Sequence, residues 1–270
     1  MKIIFIGAGN IASALIGGLL RQGISSDDLH AIDPSAGARK RLNKRYPIET
    51  SKAASSIVEN YDALILAVKP QVMKKAIEPL APWLSTQLII SVAAGIRLAD
   101  ISRWLNGYSH VVRAMPNIPA LVGVGATGLV SLHSADDADQ ALAERVLRVV
   151  GEIIWCEDES QIDAVTAISG SGPAYVFYFI EAMRNAACEL GLNDKQARAL
   201  VLSTFSGAIQ LAAQSDEFSG ILLERVVSEG GTTAAALQSF EADNINKAIS
   251  RGVSAAYTRA IQIGVTFGKQ

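Results

Sequence analysis

The chain contains only two cysteines, Cys156 and Cys188, in 270 residues. That is too few for a disulfide framework and fits a reducing compartment, so a cytoplasmic setting is expected. It also lacks an excess of either charge: 24 Lys and Arg stand against 26 Asp and Glu, a net charge of −2. Such balance gives no support to nucleic acid or an anionic membrane as partner. No signal-peptide pattern opens it, because Lys2 leads straight into the strand-like run Ile3 to Ile6. There is no internal repeat, low-complexity tract or Pro/Ser-rich linker, and no metal site is expected. What remains is half hydrophobic, with mean hydropathy +0.27, which excludes a disordered chain. This length can bury a sizeable core in one large domain or two ordinary ones.

Residues 114 to 135 carry no charged side chain, a stretch long enough to span a bilayer. Pro116, Pro119, Gly123, Gly125 and Gly128 interrupt it, however, and such residues break helices. It reads as loop and buried strand.

Two textures divide the chain. Strand patterns fall at Lys2–Ile6, Leu29–Ile32, Ala63–Val68, Leu88–Val92, Val111–Met115, Ala126–Val130 and Ile153–Cys156. Helical periods lie between them, one through Ala138, Leu142, Val146 and Val149 that Ser134 would open, with Asp136 and Asp137 in its first turn. That alternation predicts an α/β domain, a doubly wound and largely parallel sheet covered on both faces, over residues 1–158. After Asp158 the strand patterns stop, so residues 159–270 are expected to be all-helical. Val176, Phe179, Ile180, Met183, Ala187 and Leu190 form one helical face that Gly191 would end. Asn193 and Gln196 make a capping box for the next helix, and a last helix follows Asn244.

Gly7-Ala8-Gly9-Asn10-Ile11-Ala12 is a G-x-G-x-x-A dinucleotide fingerprint placed directly between a strand and a helix. Its glycines permit a tight turn and close approach of backbone to a pyrophosphate at the helix N-terminus. Asp33 ends the second strand run, where a carboxylate can hold ribose hydroxyls and favour NADH. Ser35, Arg39 and Lys40 follow and can receive the 2′-phosphate of NADPH. Asp33 can equally just start the Asp33-Pro34 turn. Ala67-Val68-Lys69-Pro70 closes another strand, so that Lys69 faces a ligand or is simply a solvated lysine before a proline-started helix. Ala93-Ala94-Gly95 ends the following one in small residues, as a flat nicotinamide ring or any tight turn requires.

Three further segments interrupt the pattern: Arg113–Pro119, Ser169–Tyr175 and Ser228-Glu229-Gly230-Gly231-Thr232-Thr233. The last two expose backbone and hydroxyls at a fresh helix start, which makes either an anion site suited to a carboxylate or a structural cap.

Together these segments, in this order over essentially the whole chain, resemble the pyrroline-5-carboxylate reductases of proline biosynthesis. The resemblance implies hydride transfer from NADPH or NADH to the cyclic imine 1-pyrroline-5-carboxylate, giving L-proline. It implies an N-terminal Rossmann domain and a C-terminal helical domain that builds homodimers and, further, homodecamers. The dinucleotide would lie along Gly7, Ala8, Gly9, Asn10 and Ile11, then Asp33, Pro34 and Ser35, then Ala67, Val68, Lys69 and Pro70. Ala93, Ala94 and Gly95 would continue it, with Asn117 near the nicotinamide end. The substrate carboxylate would sit on Ser228, Gly231, Thr232 and Thr233, beside the Val226 backbone. Thr233 would contact the ring near the imine nitrogen, and Glu217 would order a water there. The chain departs from the family pattern at Ile11, usually Met, and at Glu229, usually Pro, whose side chain is expected to face solvent. Glu217-Phe218-Ser219 also replaces the usual Glu-His-Pro.

Chemistry supports an imine independently. Ketone reduction needs an acid for the developing alkoxide. None of His30, His110 and His133 lies in a motif, and no lysine falls between Asp158 and Asn193, where a β-hydroxyacid dehydrogenase would place one. A protonated imine already carries its proton. The other readings are that dehydrogenase, a reductase of other ring imines, and a non-catalytic NAD(P)-binding regulatory protein. Residues 164 to 180 carry no charge yet include Tyr175, Phe177, Tyr178 and Phe179. A helix apolar all round must be buried on all sides, so self-association is expected.

Overall fold

The computed structural model describes residues 1–132 and 136–268. Its eight strands are β1 (Ile3–Ile6), β2 (Leu29–Ile32), β3 (Glu49–Ser51), β4 (Ala63–Leu66), β5 (Leu88–Ser91), β6 (Val111–Met115), β7 (Gly125–Ser131) and β8 (Gly151–Trp155). They form one sheet in the order β3-β2-β1-β4-β5-β6-β7-β8, parallel throughout except between β6 and β7. The first unit is thus the expected doubly wound α/β fold. Alternation along β1 sends Ile3 and Phe5 to one apolar layer and Ile4 and Ile6 to the other. All four are buried, as a sheet covered on both faces requires. On the first face α1 (Asn10–Arg21) supplies Leu15, Ile16 and Leu19 to the core. On the second, α3 (Met73–Ile77) and α4 (Leu98–Trp104) supply Met73, Ile77, Ile101 and Trp104.

Every strand expected from the sequence is present within a residue or two at its ends. β3 was not expected: its three residues Glu-Thr-Ser are polar and lie on the sheet edge, where neither burial nor alternation marks them. The uncharged stretch is loop and buried strand, as expected: Ile118–Val122 forms a 3-10 turn with Val122 77% exposed, and β7 begins after it. No helix among the described residues is long and apolar enough to cross a membrane. Ser134, the expected opener of α5 (Asp137–Leu147), lies outside the described residues. Asp136 caps that helix, its carboxylate accepting from Asp139 N–H at 2.9 Å.

The chain forms two compact units, Met1–Ser171 with the stretch from Ala256 onward, and Gly172–Ala255. The first therefore includes α6 (Glu159–Val165) and the single π-helical turn Thr166–Gly170 that follows it. The second holds α7 (Gly172–Glu189), α8 (Asp194–Ala213), α9 (Ser219–Arg225), α10 (Thr232–Ala242) and the start of α11 (Ile245–Gly268). Gly191, at φ +96°, follows the end of α7, and the Asn193–Gln196 capping box opens α8 with both reciprocal bonds made. The apolar faces expected from periodicity are there, but among the described residues they are largely uncovered, only Ala197 and Val201 of α8 being buried in this unit. Neither α7, α9 nor α10 has a buried residue, and Phe177 and Tyr178 are 61% and 74% exposed.

Candidate active site

In the first unit the strand order reverses on either side of β1, which places a crevice at the carboxyl ends of β1 and β4. The glycine turn after β1 lies there. Gly7 adopts φ +108°, and a Cβ on it would stand 2.6 Å from the Ala67 carbonyl oxygen, so glycine is required. Gly9, by contrast, is exposed, and the nearest atom to a Cβ on it is that same oxygen at 3.9 Å. Gly9 is the N-cap of α1, with no side chain capping the helix and no acid in its first turn. The first N–H groups of a helix have no partner within it and carry partial positive charge. An open space over an uncapped N-terminus fits the pyrophosphate of a dinucleotide.

The connection from β2 to the helix that follows it is tightly organised. One Asp33 oxygen accepts from Ala8 N–H at 2.9 Å and the other from Ser35 N–H at 2.8 Å. The Ser35 hydroxyl accepts from Ala38 N–H and caps α2 (Ala36–Arg45), while Arg39 donates to the Asp33 carbonyl at 2.6 Å. Asp33 thus ties the glycine turn to this loop, and Pro34 is exposed at its tip. Lys69 is exposed at the end of β4 and precedes a 3-10 turn that Pro70 begins; Ala67 and Val68 are half-buried beside it. Ala93 is buried and Ala94 half-buried. Gly95 has φ +77°, and a side chain there would collide with Ile263 of α11.

Asn117 sits where β6 gives way to the 3-10 turn. Its amide oxygen accepts from Ala126 N–H at 2.9 Å and its amide nitrogen donates to Ser169 Oγ at 3.0 Å. The side chain therefore fastens three segments, β6, β7 and the π turn, and fixes the shape of the loop. Gly170 belongs to the same junction, since a Cβ there would press on the Met115 methyl at 2.8 Å. Beneath it Arg113, 1% exposed, meets Glu159 at 2.8 Å, while Arg97 meets Asp163 at 2.7 Å. Two cations and two carboxylates balance there, as buried charges must. An arginine inside the apolar strand Val-Val-Arg-Ala-Met signals such partners, but sequence spacing does not say which carboxylates they are.

In the second unit, Gly231 is the N-cap of α10, again without a side-chain cap or a first-turn acid. Gly230 turns the chain at φ +71°, and Gly231 N–H donates to the Ser228 carbonyl at 3.0 Å. A Cβ on Gly231 would collide with Ser228 Oγ, so the serine hydroxyl lies against the helix entrance. Thr232 and Thr233 occupy the first turn, and Glu229 is exposed, as expected. Backbone N–H groups and hydroxyls converge on one helix end, a cradle for a carboxylate. Val226 closes α9 and is 65% exposed. Glu217 lies between α8 and α9, where its carboxylate accepts from Arg225 at 2.6 Å. Sequence reasoning missed Arg225, because a spacing across a loop and a short helix follows no helical period.

A family model described as pyrroline-5-carboxylate reductase dimerisation matches residues 159–263, and one described as NADP oxidoreductase coenzyme F420-dependent matches residues 2–95. A pyrroline-5-carboxylate reductase of Pseudomonas aeruginosa is 42% identical over 269 residues, covering 99% of this chain and 98% of the relative. The solved structure of the Coxiella burnetii pyrroline-5-carboxylate reductase superposes with a TM-score of 0.91 at 36% identity, over 97% of this chain and 98% of that one. The Plasmodium falciparum pyrroline carboxylate reductase, solved with NADP bound, gives a TM-score of 0.87 at 29% identity over 98% of each chain. The chain belongs to the pyrroline-5-carboxylate reductase family.

Proposed function

We propose that the protein reduces 1-pyrroline-5-carboxylate to L-proline with NADPH or NADH, the last step of proline biosynthesis. The observation that carries this reading is the pair of uncapped helix entrances, one behind a dinucleotide fingerprint and one lined by Ser228, Thr232 and Thr233. Residues 1–158 act as the dinucleotide-binding domain and residues 159–270 as the dimerisation and substrate-binding domain. Gly7, Ala8, Gly9, Asn10 and Ile11 receive the pyrophosphate on backbone N–H groups. Asp33, Pro34 and Ser35 shape the adenosine side of the site. Ala67, Val68, Lys69 and Pro70, with Ala93, Ala94 and Gly95, line the route to the nicotinamide, and Asn117 holds the loop at that end. When bound, the dinucleotide supplies the hydride that the imine carbon accepts.

The substrate carboxylate rests on the N–H groups and hydroxyls at the start of α10, with Gly231 leaving room for Ser228 Oγ and with the Val226 backbone alongside. Thr233 contacts the ring, and Glu217 supplies a hydrogen-bond acceptor beside the protonated imine nitrogen. The imine arrives protonated, so the protein needs no acid for the nitrogen; holding the ring against the hydride donor supplies much of the acceleration. The open apolar faces of α7 to α10 favour a homodimer, and the family's pattern extends it to a homodecamer. Unpaired Cys156 and Cys188 suit a cytoplasmic setting.

The test is loss of NADPH or NADH absorbance with and without pyrroline-5-carboxylate, with proline identified as product. Binding of the dinucleotide without substrate-dependent oxidation would refute the reading and favour a non-catalytic NAD(P)-binding protein.

A further inference from the structure

We infer that Arg225 is a positioning residue for Glu217: it holds one carboxylate oxygen so that the other is presented as a free acceptor to the N–H of the bound ring imine. This rests on the function proposed above. Arg225 Nη2 donates to Glu217 Oε1 at 2.6 Å, and Glu217 N–H donates to Ser215 Oγ at 3.1 Å, so the residue is held at both backbone and side chain. Glu217 Oε2 is buried and has no hydrogen-bond partner among the described residues. An arginine that only staples two elements together commonly engages both oxygens of a carboxylate through two parallel bonds. Here it engages one. A buried oxygen left without a donor is costly, most of all on a charged group, and the arrangement keeps it that way.

Arg225, Val226, Ser215 and Ser219 line a largely apolar cavity of about 700 Å³, and Glu217, not itself in the lining, adjoins it through its bonds to Arg225 and Ser215. Three residues beyond Arg225 the chain enters the Ser228–Thr233 turn, so one short segment carries both the cation that holds the acceptor and the carboxylate cradle. In pyrroline-5-carboxylate the ring nitrogen lies two bonds from the carboxylate carbon, which asks for one acceptor and several donors close together. A cation on the far oxygen of Glu217 offsets the charge that a carboxylate brings near the bound substrate's own carboxylate, and limits its rotation.

The experiment compares wild type, Arg225→Met, Arg225→Lys, Glu217→Gln and the double variant Arg225→Met/Glu217→Gln. It measures kcat/KM for pyrroline-5-carboxylate and the Kd for NADPH by fluorescence. Arg225→Met is expected to lower kcat/KM by about tenfold or more, as misplacing a catalytic group by a fraction of an ångström does. Arg225→Lys recovers most of it, the double variant is no worse than Glu217→Gln alone, and the Kd for NADPH stays put in all of them. If Arg225→Met does not fold by circular dichroism, Arg225→Gln replaces it with the same expectation. Wild-type kcat/KM in the variant lacking the cation, absence of rescue by lysine, or losses that multiply in the double variant would each overturn the inference while leaving the function standing. A wild type inert toward the imine would instead overturn the function, and the inference with it.

Discussion

Gly7 and Gly9 belong to one turn, yet the structure assigns them opposite vulnerabilities, and Gly9→Val separates binding from folding. Gly9 has φ −81° and ψ −172°, an extended conformation that valine adopts readily, and its Cβ would have only the Ala67 oxygen nearby, at 3.9 Å. The cost to the fold is the poorer N-cap, about 0.5–1 kcal/mol. The cost to binding is larger. A branched side chain occupies the space over the α1 entrance, and a pyrophosphate pushed back loses charge-assisted bonds worth roughly 1.5–3 kcal/mol each. Two such losses total about 3–6 kcal/mol, which weakens dinucleotide affinity by roughly 10²- to 10⁴-fold. Gly7→Ala reverses the pattern: its φ of +108° is strained for any side chain, and its Cβ meets the Ala67 carbonyl at 2.6 Å. That strain and overpacking cost about 2–5 kcal/mol of stability. Thermal melts and fluorescence titration with NADPH read both quantities. A Gly9→Val protein that melts normally and binds NADPH with wild-type Kd would refute the placement of the pyrophosphate.

Thr233→Ala removes a hydroxyl from the α10 entrance and is expected to lower kcat/KM for pyrroline-5-carboxylate by about 1–3 kcal/mol, or roughly 5- to 150-fold. The NADPH Kd should not move, and near-normal efficiency would show that Thr233 lies outside the site. Light scattering at micromolar concentration should show a dimer or larger, because Phe177 and Tyr178 are more than half exposed on α7, a helix without a buried residue; a stable, fully active monomer would sink the assembly. Burial holds His30 below its ordinary value of 6.5, overcoming the opposite pull of Glu49. The unfolded chain therefore gains a proton near pH 6.5 that the folded chain refuses, and stability falls as pH drops from about 6.5 toward the depressed value. Urea denaturation as a function of pH should show that decline in the wild type and a shallower one in His30→Gln; identical slopes would contradict it.

The sequence by itself determined the elements and their order. Continuous apolar runs such as Ile3–Ile6 and Leu88–Ser91 bury on both faces, so they read as strands of a covered sheet, and the Asn193–Gln196 box and Gly191 fixed helix ends through purely local bonds. The fingerprint and the Ser228–Thr233 turn were legible for the same reason: glycine and hydroxyl chemistry at a helix entrance depends on neighbours in the chain. Tertiary structure decided what depends on residues far apart. β3 exists because β2 offers it an edge to pair with, which three polar residues cannot announce. Asp33 stood open between ribose ligand and turn former, and folding brings Ala8, 25 residues away, onto its carboxylate. Asn117 turned out to bond Ser169 and Ala126 across three segments, and Arg225 to bond Glu217. A side chain's type says what it can bond, but only the packed backbone says which partner comes within 3 Å of it.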